Sequence, residues 1–572
     1  MGPTGANAEP PTLAVGGLHG DRALTRYCDT LNGVRFNRAA TVILFAAIPL
    51  VSHDTPKVMA QDASWAVLHV AQRHPLSSDR NGGTVDAPMR SIGEAVRRAR
   101  RNRRAQKSTR VQIHPGIYRE SIELLGDDTD SAARIVLEGA GADEAIVSGA
   151  DVWTGWHREE RTNLYRRPWP APWQPPAIPD GWDSVRRHIE THPILLRGEM
   201  VRVDGEAFEH VFSQADLVAR AGTFYIESQG LESTLWVHAS TDLTQDRTTV
   251  EVSVRPTLFV ANQIDHVEIR GLAFRHASTT LQDAAARIDG CSDVRVERCS
   301  FDQNSWNGLA VYQSRDVRLA NVTANSNGAG GIQAWRVTDL ELLDCESSHN
   351  NWRGARGDFT GWATGQKFFS IHGGRFVRYT AVGNHATGLW FDTDNRNIRL
   401  EDAHICQNDT RGVFLEASEG PFVLKNNRIC DNGETGLMAT GAARVSLDGN
   451  TIVENGEHQI FVPWLADEHV ETTAIDYETR QSVRIRTTSW SLTNNVIGGA
   501  DSALLFSVGR WPSFFDSLES DRNTWYQDGR RDGFAVYPDK GAAPERMDFE
   551  AWQLVSGQDR RSRFATRTES RP

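Results

Sequence analysis

Short runs of alternating apolar and polar residues recur through the middle of the chain, each opened by a glycine. In Gly388-Leu389-Trp390-Phe391-Asp392 the alternation turns Leu389 and Phe391 inward and Trp390 and Asp392 outward. Gly412-Val413-Phe414-Leu415-Glu416 repeats it, with Phe414 and Glu416 outward. The glycine follows an asparagine by four positions in Asn304-Gly308, Asn327-Gly331, Asn350-Gly354, Asn384-Gly388, Asn408-Gly412 and Asn432-Gly436. The steps are 23 or 24 residues, apart from one of 34 between Asn350 and Asn384. A fixed period of this size predicts a solenoid whose repeats bury their apolar faces only against each other. Short β-like stretches such as Val317-Arg318-Leu319, Ile398-Arg399-Leu400 and Val445-Ser446-Leu447, with no helical period between them, point to a parallel β-helix, an all-β fold. The strict leucine pattern of a leucine-rich repeat is absent. The repeated asparagines read as architecture: they tolerate the left-handed conformation at tight turns and can ladder with their neighbours above and below.

The flanks of this region differ. Arg35 and Arg38 precede an apolar run over 39–51 that is too short to span a bilayer, and Val58-Met59-Ala60 offers the small residues of a signal-peptidase site. Residues 1–60 are therefore expected to be a signal peptide, with a retained membrane anchor as the alternative. The product would be secreted or periplasmic, away from the membrane after cleavage. Residues 61–149 are expected to hold an N-terminal cap and the first turns. Ser91 and Glu94 have capping-box spacing before Ile92, Ala95, Val96 and Ala99, predicting a helix over 91–106, with its basic stretch 97–107 facing solvent. Residues 150–258 lose the repeat and read as a small β-rich insertion, and 259–572 as the main β-helix with a C-terminal cap.

Composition narrows the partners. A formal charge of −12 over 572 residues argues against nucleic acid as the ligand, and 17 tryptophans suit either packing or sugar stacking. Six cysteines are too few to build the fold. Cys406 and Cys430 stand one repeat apart, within reach of a disulfide or of an unbridged stack.

Set in register, the position four after the glycine reads Tyr312, Trp335, Asp358, Asp392, Glu416 and Thr440. Asp392 and Glu416 thus occupy the same place on neighbouring turns, about 4.8 Å apart along the axis. Stacked carboxyls repel, raising one pKa, and their separation suits the nucleophile and acid/base of a retaining glycosidase. Asp392 is assigned as nucleophile and Glu416 as acid/base. Tyr312, Trp335 and Trp390 are expected to form an aromatic floor for sugar rings, and Lys367, aligned with Trp390, to reach Asp392 or a substrate hydroxyl. The long step holds Trp352, Arg353, Arg356, Asp358 and Trp362, a loop placed to contact substrate. His372, Asp394 and His385 are further candidates. No metal ligand set is assigned.

The segment from Gly388-Leu389-Trp390-Phe391-Asp392 through Gly412-Val413-Phe414-Leu415-Glu416 to 420–427 resembles the secreted right-handed parallel β-helix glycoside hydrolases, notably the β-xylosidase type. His114-Pro115-Gly116-Ile117-Tyr118-Arg119-Glu120 and Phe549-Glu550-Ala551-Trp552-Gln553 resemble the same group. The resemblance implies a nucleophile at Asp392 and an acid/base at Glu416, and a poly- or oligosaccharide substrate. Asp392-Thr393-Asp394 departs from the xylosidase pattern after its first residue. Two alternatives stay open. One is a polysaccharide lyase or epimerase on uronates, using Lys367, Arg353, Arg356 or Arg375 with Ca²⁺ held by the two carboxylates. The other is a non-catalytic glycan-binding or surface β-helix.

Overall fold

The computed structural model describes residues 65–565 except 127–130, 171–172, 175–176, 178–191, 230–231, 281–282, 355–365, 464–470, 501–502, 511, 530 and 539–541. The expected signal peptide and the residues Arg356, Asp358 and Trp362 lie outside the described residues. Among those described, no helix is long and apolar enough to cross a membrane.

The chain winds as a parallel β-helix with three strand-bearing faces. The first face carries, among others, β1 (Asn307–Tyr312), β2 (Ile332–Leu343), β3 (Lys367–Val377), β4 (Leu389–Asp392), β5 (Arg411–Ser418) and β6 (Thr435–Ala442), each parallel to the next. The second face stacks strands such as Arg315–Ala320, Arg396–Glu401, Phe422–Lys425 and Val445–Asp448, and the third Thr380–Val382, His404–Cys406, Arg428–Cys430 and Thr451–Val453. β2 and β3 are long because they turn the corner and pair on both the first and second faces. Inward residues of the first face, Val311, Phe368, Leu389, Phe391, Val413, Leu415 and Leu437, are fully buried, so the alternation in the sequence sorts core from surface as it predicts.

The asparagines form a continuous ladder in the interior. Each Nδ2 donates to the Oδ1 of the next turn, from Asn304 to Asn327 (3.2 Å), Asn350 (3.1 Å), Asn384 (3.1 Å), Asn408 (2.9 Å), Asn432 (2.8 Å) and Asn455 (2.8 Å). The same Oδ1 atoms also accept the backbone N–H of the preceding asparagine. One expectation is corrected: the ladder asparagines are not themselves left-handed. The residue just before each takes that conformation, as in Gln303, Ser326, His349, Gln407 and Asp431, leaving the asparagine side chain free to point inward. The companion glycine is there for space. A Cβ on Gly412 would lie 2.7 Å from the Asn432 amide nitrogen and 2.7 Å from the Gly436 carbonyl oxygen. A second ladder, Asn427, Asn450, Asn495 and Asn523, ends on Asp559. Asn408→Ala orphans several buried amides at once, so it should cost about 3 kcal/mol or more in thermal or denaturant unfolding.

The helix Ile92–Arg104 lies against the first strands and buries Ile92, Ala95, Val96 and Ala99. Its capping box is only half formed. Ser91 caps Glu94 N, but the Ser91 N–H goes to Asp79, and Glu94 turns instead to Arg97 and Arg98. Arg103 departs from the solvent-facing reading of the basic stretch: it is buried and donates to the Ala133 carbonyl. Strands between Ala150 and Ser253 build a separate antiparallel-rich sheet over a core of Trp153, Trp156, Tyr165, Trp173, Phe224 and Leu235. Cys406 and Cys430 are register partners with Cα atoms 4.6 Å apart and form a disulfide.

A hairpin, β7 (Glu471–Ile475) and β8 (Ser482–Arg486), leaves the coil between the first and second faces. It packs Ala474 and Ile485 on Ala417 and thereby lies beside the turn of Glu416.

Candidate active site

Two adjoining columns of outward residues run along the first face. One reads Tyr312, Trp335, Phe369, Asp392, Glu416, Thr440, and the other Lys367, Trp390, Phe414, Met438, Phe461. Asp392 and Glu416 are direct Cα partners of parallel strands, so the carboxyls leave the same face of neighbouring turns. The residue after each column member turns left-handed: Arg336, Ser370, Thr393 and Ala417 all have positive φ. The acid column therefore stands at the sharp corner of the coil, just before its left-handed turn.

The two acids meet different surroundings. Lys367 Nζ is 2.6 Å from Asp392 Oδ2, and the Thr393 hydroxyl donates to Asp392 Oδ1 at 2.7 Å. Lys367 is also held over the Trp390 ring, 4.1 Å from its centroid, and Phe414 stacks on that ring at 5.1 Å. Glu416 is half-buried and, among the described residues, has no such partner. Removal from water, and then repulsion from Asp392, push its pKa up to about 8. Lys367, Arg411 and the Trp390 indole N–H pull the other way, the indole without the geometry of a made hydrogen bond. At neutral pH the site thus offers a protonated Glu416 beside the Asp392 carboxylate paired with Lys367.

The expected residues divide in two. Lys367 meets Asp392 as the register predicts. Tyr312, Trp335 and Trp390 share the outward face, but they form no open floor. Arg336 stacks over Trp335 at 4.0 Å, Tyr312 meets Trp335 edge-on, and Lys367 and Phe414 bracket Trp390. Arg353 is a structural residue. The residue is 6% exposed, and its guanidinium donates to Ser305 O, Ser305 Oγ and Ile194 O. Burial lowers its pKa to about 9, and these buried hydrogen bonds turn its donors away from any substrate. Trp352 is exposed beside it, with Arg353 against its ring. Arg375 lies on the second face, paired with Glu341 at 2.6 Å, and His385 pairs with Asp409 at 3.2 Å. Among the described residues, no three His, Cys, Asp or Glu side chains are grouped to hold a metal.

Asp394 and His372 come together, though not with the acid pair. Asp394, 2% exposed, accepts from Arg396 Nε (2.9 Å), His372 Nε2 (3.2 Å), Ser370 Oγ (3.3 Å) and the Tyr477 backbone N–H (3.4 Å). The Asp394 hydrogen bond is the main cause of a raised His372 pKa. Tyr477 escapes sequence reasoning altogether: it sits at the hairpin tip, 5.2 Å from Phe369 and 6.4 Å from Trp335 between ring centroids.

Residues 284–452 match the family model of the right handed beta helix region. The coil is a right-handed parallel β-helix. No curated protein sequence matches the chain. Among solved structures it is similar to XylC in its complex with xylose, at 15% identity over 84% of this chain and 87% of that one, with a TM-score of 0.63. It is also similar to a glycoside hydrolase (13%, 82% and 96%, TM-score 0.41) and to the A-module of the mannuronan C-5 epimerase AlgE4 of Azotobacter vinelandii (12%, 83% and 96%, TM-score 0.38). At such identities the likeness is one of fold.

Proposed function

We propose that the protein is a secreted carbohydrate-active enzyme, a retaining glycoside hydrolase acting on poly- or oligosaccharides, with Asp392 as nucleophile and Glu416 as acid/base. The observation that carries this reading is the asymmetry of the pair: two register-matched carboxyls, one clasped by Lys367 and Thr393 and the other driven to about 8. Neighbouring parallel strands lie about 4.8 Å apart, close to the separation used by retaining enzymes and narrower than inversion requires.

In the first step Glu416 gives its proton to the glycosidic oxygen as the bond from that oxygen to the anomeric carbon breaks. An Asp392 oxygen then forms an ester to that carbon. In the second step the Glu416 carboxylate takes a proton from water, whose oxygen attacks the anomeric carbon and expels Asp392. Lys367 anchors Asp392 from the flank and presses on Trp390, so the nucleophile is positioned before substrate arrives. An elimination or epimerisation on uronates would need Lys367 as a free base or a charge neutraliser; its contact with Asp392 favours hydrolysis.

The test is a panel of aryl pentosides, hexosides and uronides, with phenol release and near-ultraviolet absorbance both followed. Phenol release that disappears in Asp392→Ala supports the reading. Full activity in that variant, or an unsaturated product, overturns it.

A further inference from the structure

The hairpin is more than a surface decoration. Its tip is tied to the acid corner by charge: Arg396 Nη2 reaches Asp476 at 2.7 Å and Asp394 at 2.7 Å, while Asp476 also caps the N–H groups of Glu478 and Thr479 at 2.9 Å. His372 bridges Asp394 on the coil and Glu478 on the hairpin, at 3.2 and 3.3 Å. Its base is tied by apolar contact, Ala474 and Ile485 on Ala417. Between these anchors Tyr477 lies against Phe369 and Trp335, and Arg336 is held between Trp335 (4.0 Å) and Tyr477 (4.2 Å).

This places a roof over one half of the outward column. Phe369 and Trp335 stand one and two turns before Asp392, about 5 and 10 Å along the axis. Phe369 is only 6% exposed, because Tyr477 covers it. A glycan lying along the column from Glu416 through Asp392 meets Tyr477 at the next turn. In the opposite direction the column continues from Glu416 to Thr440, and the adjoining one from Phe414 to Met438 and Phe461.

We infer that Tyr477 is a specificity-determining residue which, latched by Asp394, Arg396 and Asp476, walls the Phe369 side of the acid-pair surface and limits how many sugar units extend past Asp392 on that side. The inference rests on the surface at Asp392 and Glu416 being the glycan site, but not on the reaction performed there. An aromatic held in place by partly buried ion pairs and apolar contacts costs little to keep there, so the wall acts by excluding longer chains rather than by yielding to them.

Three proteins test it: the wild type, Tyr477→Phe, which keeps the ring, and Tyr477→Ala, which removes it. Each is titrated calorimetrically with β-1,4-linked xylose, β-1,4-linked glucose and α-1,4-linked galacturonate oligosaccharides of one to six units. Whichever aryl glycoside the wild type cleaves is then assayed for kcat and KM. For the sugar that binds, Tyr477→Ala should gain tenfold or more in affinity for the longest chains. Tyr477→Phe should follow the wild type, and kcat on the aryl monoglycoside should stay within about twofold in all three. An unchanged length preference in a folded Tyr477→Ala, or no binding of any of the oligosaccharides, overturns the inference. Length-dependent binding without turnover would uphold the wall and sink the hydrolase reading.

Discussion

Asp392→Ala should lower kcat on an aryl glycoside by about 10⁴-fold or more, the scale on which loss of a covalent nucleophile is felt. Glu416→Gln should behave differently, and the contrast is the informative part. With a good leaving group such as dinitrophenol the first step needs little proton donation, so glycosylation is spared and the glycosyl-enzyme accumulates as a burst. With an unactivated leaving group both steps suffer. Equal losses on both substrates would mean that Glu416 does not act as the acid. In the wild type the rate should also fall as pH rises through about 8, where Glu416 loses the proton it must give.

The second large effect is on stability. Glu416 has its pKa raised to about 8 in the folded protein, against about 4.5 in an unfolded chain. Between these values the native state binds a proton that the unfolded state has lost, so this group's contribution favours folding below about 4.5 and is lost as pH rises towards 8. Glu416→Gln carries no titrating group there. Its melting temperature relative to the wild type should therefore climb across this window and level off above it, by about 2 °C or more. A difference that is flat with pH would contradict the burial and repulsion assigned to Glu416.

Much of this site is legible because the fold is periodic. In a solenoid the repeat length converts sequence position directly into height and face, so Asp392 falls on Glu416 and Lys367 on Trp390 without any knowledge of long-range contacts. The reading weakens wherever the period breaks. The long step that carries Arg353 looks like a substrate loop, yet the guanidinium is spent on Ser305 and Ile194, partners 48 and 159 residues away that no repeat could reveal. Tyr477 lies on a hairpin with no periodic neighbour, and it reaches Phe369 through that hairpin's ion pairs and apolar contacts with the coil. The aromatic floor fails for a related reason. Outward position is set by register, but whether a ring face stays open depends on what covers it: Arg336 on Trp335, and Lys367 on Trp390. The ladder asparagines are right in role and wrong in conformation, since the left-handed residue precedes them. Asp394 is found by proximity to Asp392 in sequence, although its function is to fasten the corner and the hairpin.

If two carboxyls on neighbouring turns carry out a double displacement, the first product keeps the anomeric configuration of the substrate. Proton NMR of the anomeric signal during the first minutes of aryl glycoside cleavage tests it most directly, before mutarotation mixes the products. The first sugar released should show that same anomer; release of the opposite one would rule out a double displacement.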